Sequence, residues 1–215
     1  MKILLFMTGY RQHEEYALQA RFLARCPKLR ANAELFVYNN YIQNKIEDVC
    51  RNIPLPMTIH NTDKNAGYYL GPIEAMEFLF ANRDLSVYDY VLHLHPDVFV
   101  VNEEPLMKLL EEEVSTPNVF LVNSAVPNDS RFYCFDFFAF KPRLLEKSIF
   151  VNWSNWVGPC EYFLHDRIVE NSIPHRLVQR YSEPGKTREI DELGLWHEHE
   201  LSKIRQFLSR IERLS

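Results

Sequence analysis

The sequence predicts an α/β fold: a mostly parallel central sheet flanked by helices, with a mixed second half and a C-terminal helix. Three observations lead there. Strand-like and helix-like segments alternate through the first half, as they do in crossover-connected parallel sheets. The strands of that half are short, nearly unbroken apolar runs, the mark of strands covered on both faces. The apolar stretch that begins at Tyr88 breaks at His95-Pro96-Asp97 and turns apolar again through Val101. Ligands of open α/β sheets bind beyond the carboxyl ends of the strands, so this polar triplet sits where a site is expected.

Residues 2–7 form the first strand, closed by Thr8 and Gly9. Residues 11–26 carry apolar side chains at helical spacing, and Pro27 stops that helix. Residues 34–38 form a second strand ending at Asn39 and Asn40, and a short helix covers 43–50. Residues 54–60 are extended, and their prolines place them at a sheet edge. A polar loop at 60–67 leads into a helix over 69–81, then the strand that meets His95. A helix over 103–113, a strand at 119–122 and a long aromatic strand over 131–140 follow. The remainder reads as a turn at 142–147, a tryptophan-bearing loop at 152–159, a helix at 160–170, a strand at 175–180 and a polar loop at 181–194. A final helix, 202–215, gathers Ile204, Phe207, Leu208, Ile211 and Leu214 on one face.

Composition narrows the function. A net charge of −5 argues against phosphate-driven nucleic-acid binding. The N-terminus has too short an apolar run for a signal peptide, and no segment has the roughly 18 apolar residues of a membrane span. The expectation is a soluble, cytoplasmic protein with no transmembrane segment. The four cysteines are widely spaced, which suits reduced structural thiols rather than a zinc ribbon.

Five groups of residues carry candidate chemistry. Asp97 at the sheet rim is a natural ligand for Mn²⁺ or Mg²⁺, and His95, two residues earlier, points to the same side on an extended backbone. The plainer reading makes Asp97 a turn cap. His197 and His199, in LWHEHEL, can complete such a metal site or simply sit at a helix start. Asn65-Ala66-Gly67 precedes a helix whose N-terminus favours an anion. Asp136 lies among aromatic residues and needs either a partner such as Arg131 or Arg143, or a cleft; in a cleft it would bind a hydroxyl. Glu161 opens a helix and is either a structural cap or a base for an acceptor hydroxyl.

In this order the segments resemble the nucleotide-diphospho-sugar transferases of the GT-A, Rossmann-like, class over most of residues 1–201. Thr8-Gly9-Tyr10 lies where that family seats the nucleotide base, and Asn39 where it places a base or ribose contact. Asn65-Ala66-Gly67 is similar to the loop before its metal motif, and YVLHLHPDVFV to the strand carrying its Asp-x-Asp. DFFAFKP and Cys160-Glu161 are similar to its acceptor-side elements, and GLWHEHEL to the C-terminal histidine that completes the metal site in several members. His95 replaces the first aspartate of that motif, which leaves Asp97 as principal ligand and His95 with either a metal or a substrate role. The compact layout is also similar to the chlorella-virus enzymes that glycosylate capsid protein, which implies the host cytoplasm.

The resemblance implies a single GT-A-like domain. Residues 1–122 would bind the donor and 123–201 the acceptor, and 202–215 would add a helix that packs on the domain or contacts a partner, a membrane surface or a further domain of a longer chain. It implies a hexosyl- or deoxyhexosyltransferase that uses Mn²⁺ or Mg²⁺ and moves sugar from a UDP- or GDP-linked donor to a glycan or glycoprotein. A metal-dependent hydrolase using the His/Asp cluster, and a nonenzymatic sugar-binding module displaying Trp153 and Trp156, are the competing readings.

Overall fold

The computed structural model describes residues 1–41, 43, 45–64, 66–67, 69–123, 129–180 and 189–213. Its centre is β1 (Ile3–Gly9), buried along its whole length. Alternate residues of a strand face opposite sides of a sheet, so an uninterrupted apolar run needs cover on both. Ile3, Leu5 and Met7 enter one core cluster, and Leu4 and Phe6 the other.

β1 pairs in parallel with β2 (Ala33–Asn39) and with β4 (Tyr90–Leu94), and β2 pairs in parallel with β3 (Met57–Asn61). Beyond β4 the sheet turns mixed. β7 (Phe137–Phe140) runs antiparallel to β4 and to β6 (Phe120–Val122), and β8 (His175–Leu177) is parallel to β6. The order β3-β2-β1-β4-β7-β6-β8 makes β3 an edge, as its flanking prolines predict. One face is covered by α1 (His13–Leu23), α2 (Pro27–Asn32), α3 (Glu47–Cys50) and α5 (Glu103–Glu113). The other carries α4 (Gly71–Asn82) and α6 (Cys160–Glu170). No helix among the described residues is long and apolar enough to cross a membrane.

A second, small sheet decides where the site lies. After β4 the chain turns at His95-Pro96-Asp97 into β5 (Val98–Val100), which pairs antiparallel with β9 (Leu195–His197). α7 (Leu201–Glu212) then packs Ile204 and Leu208 against Leu18 and Phe22 of α1, Phe99 of β5 and Trp196 of β9. Leu214, assigned to the apolar face of this helix from sequence, lies outside the described residues.

Three expectations change. The helix expected over 11–26 ends at Leu23, and Pro27 instead opens α2. A proline at the first turn lacks only an N–H that the helix leaves unused. The N–H groups of Lys28 and Leu29 are capped by the Glu103 carboxylate at 2.9 and 2.8 Å. The aromatic stretch 131–140 is a strand only over Phe137–Phe140. Its earlier part leaves the ladder, and Asp136 reaches Arg180 and His197. The strand expected at 175–180 ends at Leu177.

Candidate metal centre

The turn after β4 is fixed by its backbone. The His95 N–H donates to the Asp136 carbonyl at 3.0 Å, and the Val98 N–H to the His95 carbonyl at 3.0 Å. Val98 is paired with His197, and the Glu198 N–H reaches the Asp97 carbonyl at 3.2 Å. The β5–β9 ladder therefore lays the His-x-His segment beside Asp97.

The side chains meet accordingly. His199 Nδ1 is 2.8 Å from Asp97 Oδ2, and His197 Nε2 is 3.8 Å from the same oxygen. One ligand atom from each of Asp97, His197 and His199 falls within a 4.8 Å group. His95, the fourth ligand candidate, is not in that group. The opposite ring nitrogen, His197 Nδ1, is 3.1 Å from Asp136 Oδ2. That oxygen also accepts from Arg180 at 2.9 Å, and Arg180 Nε donates to Asp191 at 2.5 Å. Neither Arg131 nor Arg143 is the partner of Asp136: they pair with Asp166 and Asp89. Arg180 is only 1 % exposed, so a buried alternation of charge runs from Asp191 through Arg180 and Asp136 to His197.

The electrostatics follow from this packing. Burial alone raises the Asp97 pKa, but His197, His199 and His95 hold its carboxyl well below the usual range. Burial acts the same way on Asp136, and Arg180 and His197 reverse it. Burial lowers the pKa of His197, yet the carboxylates of Asp136 and Asp97 push it up to about 10. Burial dominates at His95 and at the enclosed His93, lowering both.

Four buried atoms converge here without a hydrogen-bond partner among the described residues: Oδ1 of Asp97 and Asp136, and Nε2 of His95 and His197. Polar atoms left without a partner at such depth are costly unless something meets them, and a cation can take the place of a proton on His197 Nε2. With Nδ1 committed to Asp136, His197 presents Nε2, the arrangement in which a carboxylate orients a metal-binding imidazole. Two imidazoles and a carboxylate fit Mn²⁺ or a softer divalent ion better than Mg²⁺. The residues present thus fit a divalent cation.

The centre opens into a cavity of about 540 Å³. Thr8, Gly9 and Tyr10 at the end of β1 line it, as do Asp136, Glu161, His95 and the Asp97–His197–His199 group. Gly9 is required there: a Cβ would stand 2.9 Å from Pro96 Cγ and 2.5 Å from Tyr16 Oη. Gly67 also lines the cavity, with a φ of +92° that favours glycine. Thr8 Oγ1 is 3.0 Å from His93 Nε2, which ties the wall to β4. Glu161 stands in the first turn of α6, its carboxylate 3.4 Å from Cys160 Sγ.

Asn39 does not face the cavity. Its amide donates to Asn61 Oδ1 at 2.8 Å and to the Tyr41 carbonyl at 3.1 Å, and Asn40 lines the wall instead. Asn65 lies outside the described residues. Trp153 and Trp156 are packed against the α4–α6 core, with indole N–H groups bonded to Glu77 and to the Gly158 and Pro159 carbonyls. Sequence reasoning missed Arg180 and the cavity-lining Asn40 and Gln12; a single polar residue in a polar stretch carries no periodic signal.

No family model and no curated protein sequence matches this chain. Solved structures do. A mannosyltransferase of Pyrobaculum calidifontis, in complex with GDP-Man and Mn²⁺, superposes with a TM-score of 0.54 at 12% identity, over 67% of this chain and 45% of that one. The glycosyltransferase GlyE of Streptococcus pneumoniae gives 0.52 at 10% identity, over 82% of this chain and 45% of that one. Mouse xyloside xylosyltransferase 1, in its apo form, gives 0.51 at 11% identity, over 83% of this chain and 86% of that one. The chain thus spans under half the length of the first two and most of the third. What is shared is the fold: an α/β sheet of the GT-A glycosyltransferase type.

Proposed function

We propose that this protein is a metal-dependent glycosyltransferase that moves a hexosyl or deoxyhexosyl group from a UDP- or GDP-linked sugar to a glycan or protein acceptor. The observation that carries the reading is the Asp97–His197–His199 group, in which Asp97 Oδ1 and His197 Nε2 have no hydrogen-bond partner among the described residues, placed beside the turn after β4 in a fold shared with nucleotide-sugar transferases. The neighbour that holds GDP-Man and Mn²⁺ supports the choice of cofactor and donor class.

Asp97, His197 and His199 would hold the cation, and Asp136 would fix the His197 ring. Bound there, a divalent ion supplies positive charge to the departing diphosphate. Thr8, Gly9, Tyr10 and Asn40 form the wall that would seat the nucleotide, with Gly67, and with Asn65 assigned there from sequence alone. His95 offers its unpartnered Nε2 to the donor rather than to the ion, since it lies outside the ligand group. Asp136 Oδ1 would accept a substrate hydroxyl. Glu161 would take the acceptor's proton in an inverting transfer. All four cysteines are free and buried, which suits a cytoplasmic location. The narrower likeness to chlorella-virus enzymes rests on the compact layout alone and carries no weight here.

Thermal unfolding with nucleoside diphosphates and nucleotide sugars, with and without Mn²⁺, tests the reading. A ligand at about 100 times its Kd adds roughly 2.7 kcal/mol. For a chain of this size that is a rise of about 5–10 °C. The rise is expected with one nucleotide class, only with Mn²⁺, and not in Asp97→Ala. A folded protein that responds to no nucleotide would sink the proposal. Phosphoester cleavage without an acceptor would favour a hydrolase, and sugar binding that survives chelator a binding module.

A further inference from the structure

Gln19 is fully buried in the middle of α1, among apolar neighbours, and does not line the cavity. A buried carboxamide is costly unless its groups are used. Its Oε1 has no partner among the described residues, and its Nε2 donates to the Pro96 carbonyl at 3.0 Å and to the Val98 carbonyl at 2.6 Å. Both partners are acceptors only, so the amide nitrogen must be the atom that faces them. These two carbonyls flank Asp97. The Asp97 carbonyl is meanwhile held by the Glu198 N–H, and the His95 N–H by the Asp136 carbonyl. The turn is therefore gripped from α1, from β9 and from the strand-entry segment at once.

We infer that Gln19 is a positioning residue for the metal centre: its carboxamide sets the backbone on either side of Asp97 and so aims that carboxylate at His197 and His199. The inference rests on the proposed metal role of Asp97. A glutamine that merely filled space would have no reason to bracket one carboxylate with two hydrogen bonds. Without them the two carbonyls lose their donor and the turn gains freedom, while the ligands themselves are intact.

The test is Mn²⁺ binding alone, read from the paramagnetic resonance of free Mn²⁺, alongside thermal unfolding. Gln19→Met keeps length and removes the donor; Gln19→Asn keeps the amide but draws it back by one methylene, and serves if the first variant does not fold. Leu29→Ala is the stability control, because Leu29 is a core residue of α2, which makes none of these bonds. Loss of a group hydrogen-bonded to a ligand side chain weakens metal affinity by about 10–100-fold, and Gln19, which acts through the backbone beside Asp97, belongs at the lower end. The expected result is a loss of at least about tenfold in the Gln19 variants, with wild-type affinity in Leu29→Ala at a similar or lower melting point. Wild-type affinity in a folded Gln19 variant overturns the inference and leaves the Asp97 site standing. An equal loss in Leu29→Ala also overturns it, by reducing Gln19 to a general stability effect. A wild-type protein that binds no Mn²⁺ removes both the inference and the site.

Discussion

Arg180 is the sharpest place to test the charge chain behind the proposed metal centre. Its guanidinium is fully buried, as is Asp191, and Asp136 is nearly so, with side-chain exposures of 0, 0 and 14 %. Removing one member of a buried ion pair, and leaving the other charged, costs about 3–5 kcal/mol. Arg180→Met strands two carboxylates, but neither is left bare. Asp136 keeps His197 at 3.1 Å, and Asp191 keeps the N–H groups of Leu193 and Leu195, both at 2.9 Å. The lower end of the range, about 3 kcal/mol, is therefore the expectation. For a chain of this length that lowers the melting point by about 6–12 °C. Arg180→Lys retains the charge but cannot reach two carboxylates from two nitrogens. It should lose about one charged hydrogen bond, roughly 1.5–3 kcal/mol, and so fall between wild type and Arg180→Met. Both should also bind Mn²⁺ more weakly, since Asp136 no longer holds the His197 ring in place. Calorimetric unfolding and Mn²⁺ titration read the two effects separately. An Arg180→Met protein that melts within about 2 °C of wild type would refute the reasoning, because it would mean the buried carboxylates need no cation.

Gly9→Ala forces a Cβ against Pro96 and Tyr16, so the turn bearing Asp97 must shift. Overpacking of this kind costs about 1–3 kcal/mol, and Mn²⁺ and nucleotide affinities should fall with the melting point. Glu161→Gln should lower sugar transfer by about 10²–10⁴-fold while leaving the Mn²⁺-dependent nucleotide shift intact; an unchanged rate removes Glu161 as the base. Leu208→Ala empties a fully buried position between α7, α1 and β9, and unfolding should show a loss of about 2–5 kcal/mol.

Much of the framework was legible because local signals agreed with the tertiary outcome. α5 spans the 103–113 expected from the spacing of Leu106, Leu109 and Leu110, and the structure adds a cap, the Asn102 side chain accepting from the Glu104 N–H at 3.1 Å. β3 lies at an edge because prolines flank it. Periodicity failed where a polar residue answered to a distant partner. Phe132, Tyr133 and Phe135 extend the aromatic signal of β7, but Asp136 beside them has its partners at Arg180 and His197. Asn39 and Asn40 are adjacent and chemically identical, yet only the backbone turn decides which faces the cavity. Gln19 looks like any polar residue of an amphipathic helix until the Pro96 and Val98 carbonyls are placed next to it.

The proposed metal ligands illustrate why a motif spacing says so little about a site. Asp97 and His199 are 102 positions apart, and the ladder that joins their segments has three residues on each side. Backbone hydrogen bonds contribute only about 1 kcal/mol each, so such a ladder is weak alone. It is held from both ends instead. Upstream, Arg180 and Asp191 close an 11-position loop, and Asp191 in turn receives the N–H of Leu195, the first residue of β9. Closing a loop of that length costs about 2 kcal/mol beyond a constant, comparable to the roughly 1.5–3 kcal/mol of a charged hydrogen bond. Downstream, α7 buries Ile204 and Leu208 against Phe99 and Trp196, one residue from each strand of the same ladder. Each such side chain contributes about 1.5–3 kcal/mol when fully buried. His197 thus meets Asp97 because a buried ion pair and an apolar helix fix the strand between them, and loosening either should weaken metal binding before it unfolds the main sheet.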